Sequence, residues 1–528
     1  MKKMKKVMAL LLSLVMVLAM SIATFADGSG STANTYSLTI TNTKEGHKYG
    51  VYQIFTGDIS GELNGEKVLT NVKYGSNYIP EGKNKGDAVE NAVLDTINAA
   101  DFAQNFVATG EVFKTVDSTA GNTIISGLPA GYYLVKDSKP VTGQDAATKF
   151  ILQVVGNTSV AVKTDFPTVE KKVQENAKNV NLDGKATDTR IPSYNVPAKY
   201  NDVADYNIGD KVPFQLIGTL PSNYDDYATY KYIFHDTLSA GLDYNDDAKV
   251  YVLNGTTKTE ITDTNLRKVE SSGNALTVTF ENLKAVTGVN KDSKIIVDYT
   301  ATLNTAAEIG LPGNPNEVYL QFSNNPNKGG DGETGNTPED KVIVFTYELD
   351  VTKIDANQKD TKLKDAEFKL RNKEGNWVIV DADNKVKDWT NDESQASTLK
   401  SGDDGLFKVI GLDDGVYYLK ETKAPQHYNL LSNEIKLTIT ATTSNGQTWE
   451  SGEPGDALTV LSINVGDATE SATGDRGKGT VSMNVENSKG STLPTTGGMG
   501  TTIFYVVGSI LVLGAAILLI TKKRMSAR

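Results

Sequence analysis

Three polar residues stand where strand alternation sends them into an apolar interior. Leu349, Val351 and Lys353 share a strand face, because side chains two apart point the same way. Val481, Met483, Val485 and Asn487 share another face, and Tyr417, Leu419 and Glu421 a third. A lysine, a glutamate and an asparagine buried together form a reactive set, since desolvation favours the neutral, nucleophilic amine and the protonated carboxyl. The Lys353 amine can attack the Asn487 carboxamide while Glu421 polarises the carbonyl and carries protons. Loss of ammonia then leaves an amide between the two side chains, a single-turnover reaction of the chain on itself. Lysines near strand ends often snorkel to water instead, and periodicity alone does not decide between these outcomes.

A second set lies upstream. Val169, Lys171 and Val173 share a face and Lys172 points the other way, which makes Lys171 the inward amine. Tyr232, Phe234 and Asp236 carry a carboxyl on an apolar face. Asn316, Val318, Leu320, Phe322 and Asn324 offer two asparagines, and alternation does not choose between them. Near the start of the chain, Leu38, Ile40 and Asn42 have an asparagine where the third segment has its lysine, so no crosslink is expected there.

The elements that must position these groups are strands. Runs rich in Val, Ile, Thr and Tyr, such as Tyr36 to Thr41, Val160 to Val162, Leu276 to Phe280 and Lys294 to Tyr299, alternate apolar and polar between Gly, Asn and Asp. The pattern is all-β, that of β-sandwiches. Pro213, between Val212 and Phe214, points to an edge strand, and the spacing over 87–106 predicts a helix on the first domain. The segments 127–137 and 411–421 echo each other, each with a paired tyrosine and an acid at its end. Proline after a strand at Phe166-Pro167 and the Gly/Asn/Pro-rich stretch 324–338 suggest domains at 27–165, 166–345 and 346–490. About 465 residues in three domains leave each large enough to bury a core.

Both ends read as processing segments. Residues 1–26 run from Lys2, Lys3, Lys5 and Lys6 through an apolar stretch to Thr24-Phe25-Ala26, the order of a cleavable secretory signal peptide. Ile503 to Ile520 is apolar over about 18 residues, enough to cross a bilayer, and Lys522, Lys523, Arg524 and Arg528 follow it. Without these ends the chain keeps 45 basic against 65 acidic residues, a net charge of −20, which argues against nucleic acid as a partner. There is no cysteine, so an exported chain has no disulfide and another crosslink becomes worth seeking. With only His47, His235 and His427, the nucleophile and metal sets of a hydrolase are thin; His235 and Asp236 are adjacent and face opposite ways. Gly329-Gly330-Asp331-Gly332 leads into more Gly, Asn and Pro rather than a helix, which reads as a linker and not a phosphate loop. No cofactor, no metal and no enzymatic activity are expected.

Leu493-Pro494-Thr495-Thr496-Gly497, directly before the apolar span and basic tail, resembles the cell-wall sorting signal of Gram-positive surface proteins. The resemblance implies that a sortase cuts after Thr496. The stretch 363–370, the segment Tyr418 to Pro425, Lys353 and Asn487 together resemble the Cna-B-type domain of Gram-positive pilins. That resemblance implies tandem immunoglobulin-like sandwiches, an autocatalytic Lys353–Asn487 isopeptide bond assisted by Glu421, and a second bond in the middle domain from Lys171 with Asp236 as its acid. Asn316 is preferred over Asn324 as the partner because it opens its strand. A backbone subunit also needs an exposed lysine for polymerisation. Lys163, outward after Val160 and Val162, fits the place but lacks the family's flanking tyrosine, proline and asparagine; Lys171 and Lys172 come next. The expected partners are sortase, further copies of the chain, peptidoglycan, accessory pilins and host surface ligands. The rival reading is a wall-anchored adhesin that never polymerises.

Overall fold

Alternating β-branched and aromatic residues form strands through most of the described residues, and these strands assemble into six sheets. The structure, a computed structural model, describes residues 35–63, 66–96, 108–137, 146–147, 149–162, 166–176, 200–328, 333–443, 457–490 and 499–525. Strands within 35–161 make a three-stranded and a five-stranded sheet, those within 169–345 two seven-stranded sheets, and those within 347–487 a three-stranded and an eight-stranded sheet. Each pair buries its apolar faces against each other, as a sheet with one hydrophobic face must. The fold is all-β, in tandem sandwiches.

One topological feature matters most for the chemistry. In the third sandwich the opening strand Tyr347–Asp355 lies parallel to the closing strand Thr480–Asn487, with Lys353 opposite Val485 and Asp355 opposite Asn487. Lys353 and Asn487 therefore stand diagonally on one face of adjacent strands, within reach of a long side chain. The facing sheet supplies the strand Gly415–Lys423, on which Tyr417, Leu419 and Glu421 are the buried positions.

Two expectations from the sequence fail here. Pro213 lies in Lys211–Gly218, an interior strand with neighbours on both sides. The ladder to Val169–Gln174 begins only at Phe214, so Pro213 sits one position before it and the strand is locally an edge there. Asn42 does not continue the inward face of Leu38 and Ile40. The register slips between Thr41 and Thr43, Asn42 takes a left-handed φ of 59° and is exposed, and Thr43 is buried in its place. The first-domain helix is described at Asn91–Thr96, and the rest of 87–106 up to its end is partly outside the described residues. At the C-terminal end, Met499–Met525 is a helix, exposed along its apolar length and long enough to cross a membrane.

Candidate functional site

The third sandwich brings Lys353, Glu421 and Asn487 together, all buried. The Lys353 Nζ donates to Asn487 Oδ1 and, at 3.0 Å, to the backbone oxygen of Val485. Glu421 Oε1 lies 3.8 Å from the amine. Glu421 Oε2 accepts from Asn487 Nδ2 at 3.0 Å and from the Leu431 backbone at 2.9 Å. Here the geometry departs from the sequence expectation, which had Glu421 polarising the carbonyl: the carboxyl meets the amide nitrogen instead. The reason is the backbone oxygen of Asn429, which accepts from Asn487 Nδ2 at 2.6 Å. Being an acceptor only, it fixes which end of the carboxamide faces it. Burial away from water pushes the Lys353 amine down to about 8, against the opposing pull of Glu421.

This arrangement can do what its parts suggest. The amine rests on the carboxamide oxygen of Asn487, and the carboxyl rests on its nitrogen. A bond from Nζ to Cγ of Asn487 would form, the bond from Cγ to Nδ2 would break, and Glu421 would carry the amine proton to the departing ammonia.

The middle sandwich brings Lys171, Asp236 and Asn316 around a fourth residue, Tyr299. Lys171 Nζ donates to Asp236 Oδ2 and, at 2.9 Å, to the Tyr299 hydroxyl. That hydroxyl donates to Asp236 Oδ1 at 3.0 Å and accepts from Asn316 Nδ2 at 2.8 Å. One donated and two accepted bonds exhaust it. Asn316 Oδ1 is buried with no hydrogen-bond partner. The rings of Phe214 and Tyr299 lie 5.6 and 5.4 Å from the Lys171 amine. Desolvation pushes Lys171 down to about 8 although Asp236 pulls it up, and the same burial raises Asp236. Asn324 stands at the other end of its strand. Val318 is opposite Asp236 and Phe322 opposite Tyr232, which puts Asn324 six residues, or roughly 20 Å, along the strand from the acid.

Sequence reasoning missed Tyr299 and the Asn429 carbonyl. Tyr299 was legible as inward, two residues from Val297 on an alternating run, but its hydroxyl's partners come from three other strands. A backbone oxygen leaves no mark in a sequence.

The comparisons with known proteins agree on the class of molecule. Residues 208–326 match the family described as Gram-positive pilin backbone subunit 2, Cna-B-like domain, and residues 347–452 the SpaA prealbumin-like fold domain. Residues 485–526 match the LPXTG cell wall anchor motif. The chain is 25% identical over 468 residues to the trypsin-resistant surface T6 protein of Streptococcus pyogenes serotype M6, with 77% of each chain covered. Among solved structures it is similar to the T6 backbone pilin of that serotype, 18% identical, with 87% of this chain and 100% of that chain covered and a TM-score of 0.49. It is also similar to the group B streptococcus pilus 2b backbone protein, 28% identical, with 55% and 97% covered and a TM-score of 0.41.

Of the lysines considered for polymerisation, Lys171 and Lys172 are both buried, and a group enclosed on a strand between two neighbours cannot reach another protein's active site. Lys172 does point away from Lys171, but the face it points to is covered as well. Lys163 lies outside the described residues, as do the expected signal peptide and the sorting residues Leu493, Pro494, Thr495, Thr496 and Gly497. The strand Thr158–Ala161 that leads to Lys163 ends on an exposed Ala161 followed by a buried Val162.

Proposed function

We propose that this chain is a backbone pilin, the repeating subunit of a covalent pilus, with domains at 27–165, 166–345 and 346–490 and two internal Lys–Asn amides. In the third domain Lys353 joins Asn487 with Glu421 as proton carrier; in the middle domain Lys171 joins Asn316 with Asp236. Sortase cleaves after Thr496, holds the Thr496 carbonyl as a thioester, and the Lys163 amine of the next subunit takes it, or a peptidoglycan amine does so for the last subunit. The observation that carries the crosslink reading is the buried Lys353 amine in contact with the Asn487 carboxamide, whose nitrogen is held by Glu421 and the Asn429 carbonyl. The polymer reading rests on the family and on the burial of the competing lysines.

Cell-wall extracts boiled in detergent should show a ladder of covalent multimers, which a Lys163→Ala change collapses to a single wall-linked band. A single band from the unaltered strain would instead make the chain a wall-anchored adhesin. The intact mass of the soluble part should fall short of its sequence mass by one ammonia for each of the two bonds.

A further inference from the structure

The strand Val169–Gln174 buries both of its faces, and only one of them holds the Lys171 set. On the other face Glu170 and Lys172 stand two residues apart, and the neighbouring short strand pairs Tyr200 with Gln174 and Asn201 with Val173. The next position in that antiparallel register sets Asp202 opposite Lys172. Lys172 Nζ donates to Asp202 Oδ1 at 2.6 Å and lies 3.7 Å from Glu170 Oε1. The three side chains are at most 4% exposed. The amine is placed as in the third sandwich, where it touches the Asn487 carboxamide oxygen and stands 3.8 Å from the Glu421 carboxyl; the acyl group here is a carboxyl and not a carboxamide.

We propose that the middle domain forms a second amide of its own, between Lys172 Nζ and Cγ of Asp202, with Glu170 as the proton carrier. The step is a condensation. The ammonium of the ion pair gives a proton to Asp202, leaving a neutral amine and a carboxylic acid, two uncharged groups on side chains at most 4% exposed. Nζ then bonds to Cγ and the bond from Cγ to the hydroxyl oxygen breaks. Glu170 takes one amine proton and delivers it to the departing hydroxyl, so the only product besides the amide is water. No oxidant, reductant or co-reactant is required. Desolvation works to free the Lys172 amine, but the Asp202 and Glu170 carboxylates outweigh it and hold the proton, so the amine must give that proton up before it can attack. Once made, the amide ties position 172 to a position 30 residues further on and closes the edge of the sheet that Lys171 also anchors.

The leaving group makes the test specific. The intact mass of the mature soluble protein should lack one water in addition to the ammonias of the other two bonds, so that either reading can fail without obscuring the other. Tandem mass spectrometry of proteolytic fragments should find Lys172 and Asp202 in one branched peptide, and Lys172→Arg should restore the water. An Asp202→Asn variant should mature to the same mass as the parent, because loss of ammonia from asparagine and of water from aspartate leaves the identical amide. Parent and variant masses that differ by the substitution alone, or a water deficit that survives Lys172→Arg, would overturn the proposal. Fragment analysis of the unaltered protein decides the matter even where a variant fails to fold, since unlinked Lys172 and Asp202 peptides refute it directly.

Discussion

At the scale of single residues, the two Lys–Asn sets are built from different parts. In the third sandwich the carboxyl itself faces the Asn487 nitrogen; in the middle sandwich Asp236 grips the amine and Tyr299 stands between it and Asn316. Tyr299 is thus positioned to pass the proton from the Lys171 and Asp236 pair to the Asn316 nitrogen. Tyr299→Phe should slow the middle bond on the order of a hundredfold, the size of a lost general acid–base relay. A time course of ammonia loss by intact mass in freshly folded protein measures this, and the third-domain bond should keep its rate. Glu421→Ala should do the reverse, abolishing the Lys353–Asn487 bond and sparing the middle one. Both reactions need the free amine, and Lys171 and Lys353 are each held to about 8. Their deprotonated fraction grows as pH rises towards that value, so bond formation should accelerate between about pH 6 and 8 and level off above it. A rate that falls over this range would contradict attack by the neutral amine.

At the scale of elements, the parallel pairing of the first and last strands of the third sandwich decides what the proposed crosslink would do. Lys353 and Asn487 are 134 residues apart in sequence and neighbours in the sheet. An amide closing a loop of that length would remove chain entropy from the unfolded state worth about 5 kcal/mol by the relation used for disulfides. Lys353→Ala should therefore lower the denaturation midpoint of this domain sharply while the middle domain keeps its own. The same pairing sets the path of tension, which would pass along Tyr347–Asp355 to Lys353, cross to Asn487 and leave without loading the residues between. How much of this was legible beforehand differs by element. The strands carrying Lys353, Glu421 and Asn487 keep their alternation up to these residues, so their inward faces could be read from residue type alone. The strand bearing Asn42 could not, because a bulge changes the parity of every later position and one residue of slip leaves no trace in composition. Lys172 was read correctly as facing away from Lys171, yet its burial depends on Asp202 and the neighbouring strand, a long-range contact that periodicity does not encode.

At the scale of the whole molecule, the middle and third sandwiches share one continuous cluster of buried apolar side chains, and their contact is close enough to require glycine. Gly310 and Gly479, both at positive φ, face each other, and a Cβ on Gly479 would meet the backbone of Gly310 at 2.4 Å. At the same joint the carboxyl oxygens of Asp205, Asp413 and Asp414 lie within 4.8 Å of one another. Asp205 accepts from the Tyr347 hydroxyl at 3.0 Å, Asp413 accepts from Asn176 at 3.0 Å, and Glu175 accepts from the Asp205 backbone at 3.2 Å. Burial, then mutual repulsion and that of Glu175, raises all three carboxyls, Asp414 to about 6. In the unfolded chain they ionise near pH 4, so above that pH the folded state holds more protons than the unfolded one and stability declines as pH rises through about 6. The Tm of the soluble part should fall over this window, and Asp413→Asn should flatten the fall. A Tm that climbs with pH there would mean that the joint does not hold these carboxyls as described.

The sequence by itself determined the strand-rich class, the apolar C-terminal span, and the amine, acid and amide that meet in the third sandwich. Such features are written locally: a run of apolar residues, a parity of two. Only the tertiary structure decided that Asn316 rather than Asn324 stands near Lys171, that Tyr299 mediates between them, that Glu421 faces the leaving nitrogen, and that Lys172 has an acid and a second carboxyl enclosed beside it. Each of these depends on which strands become neighbours and in what register, and that is fixed by packing across the sandwich, where residues far apart in sequence compete for one desolvated place.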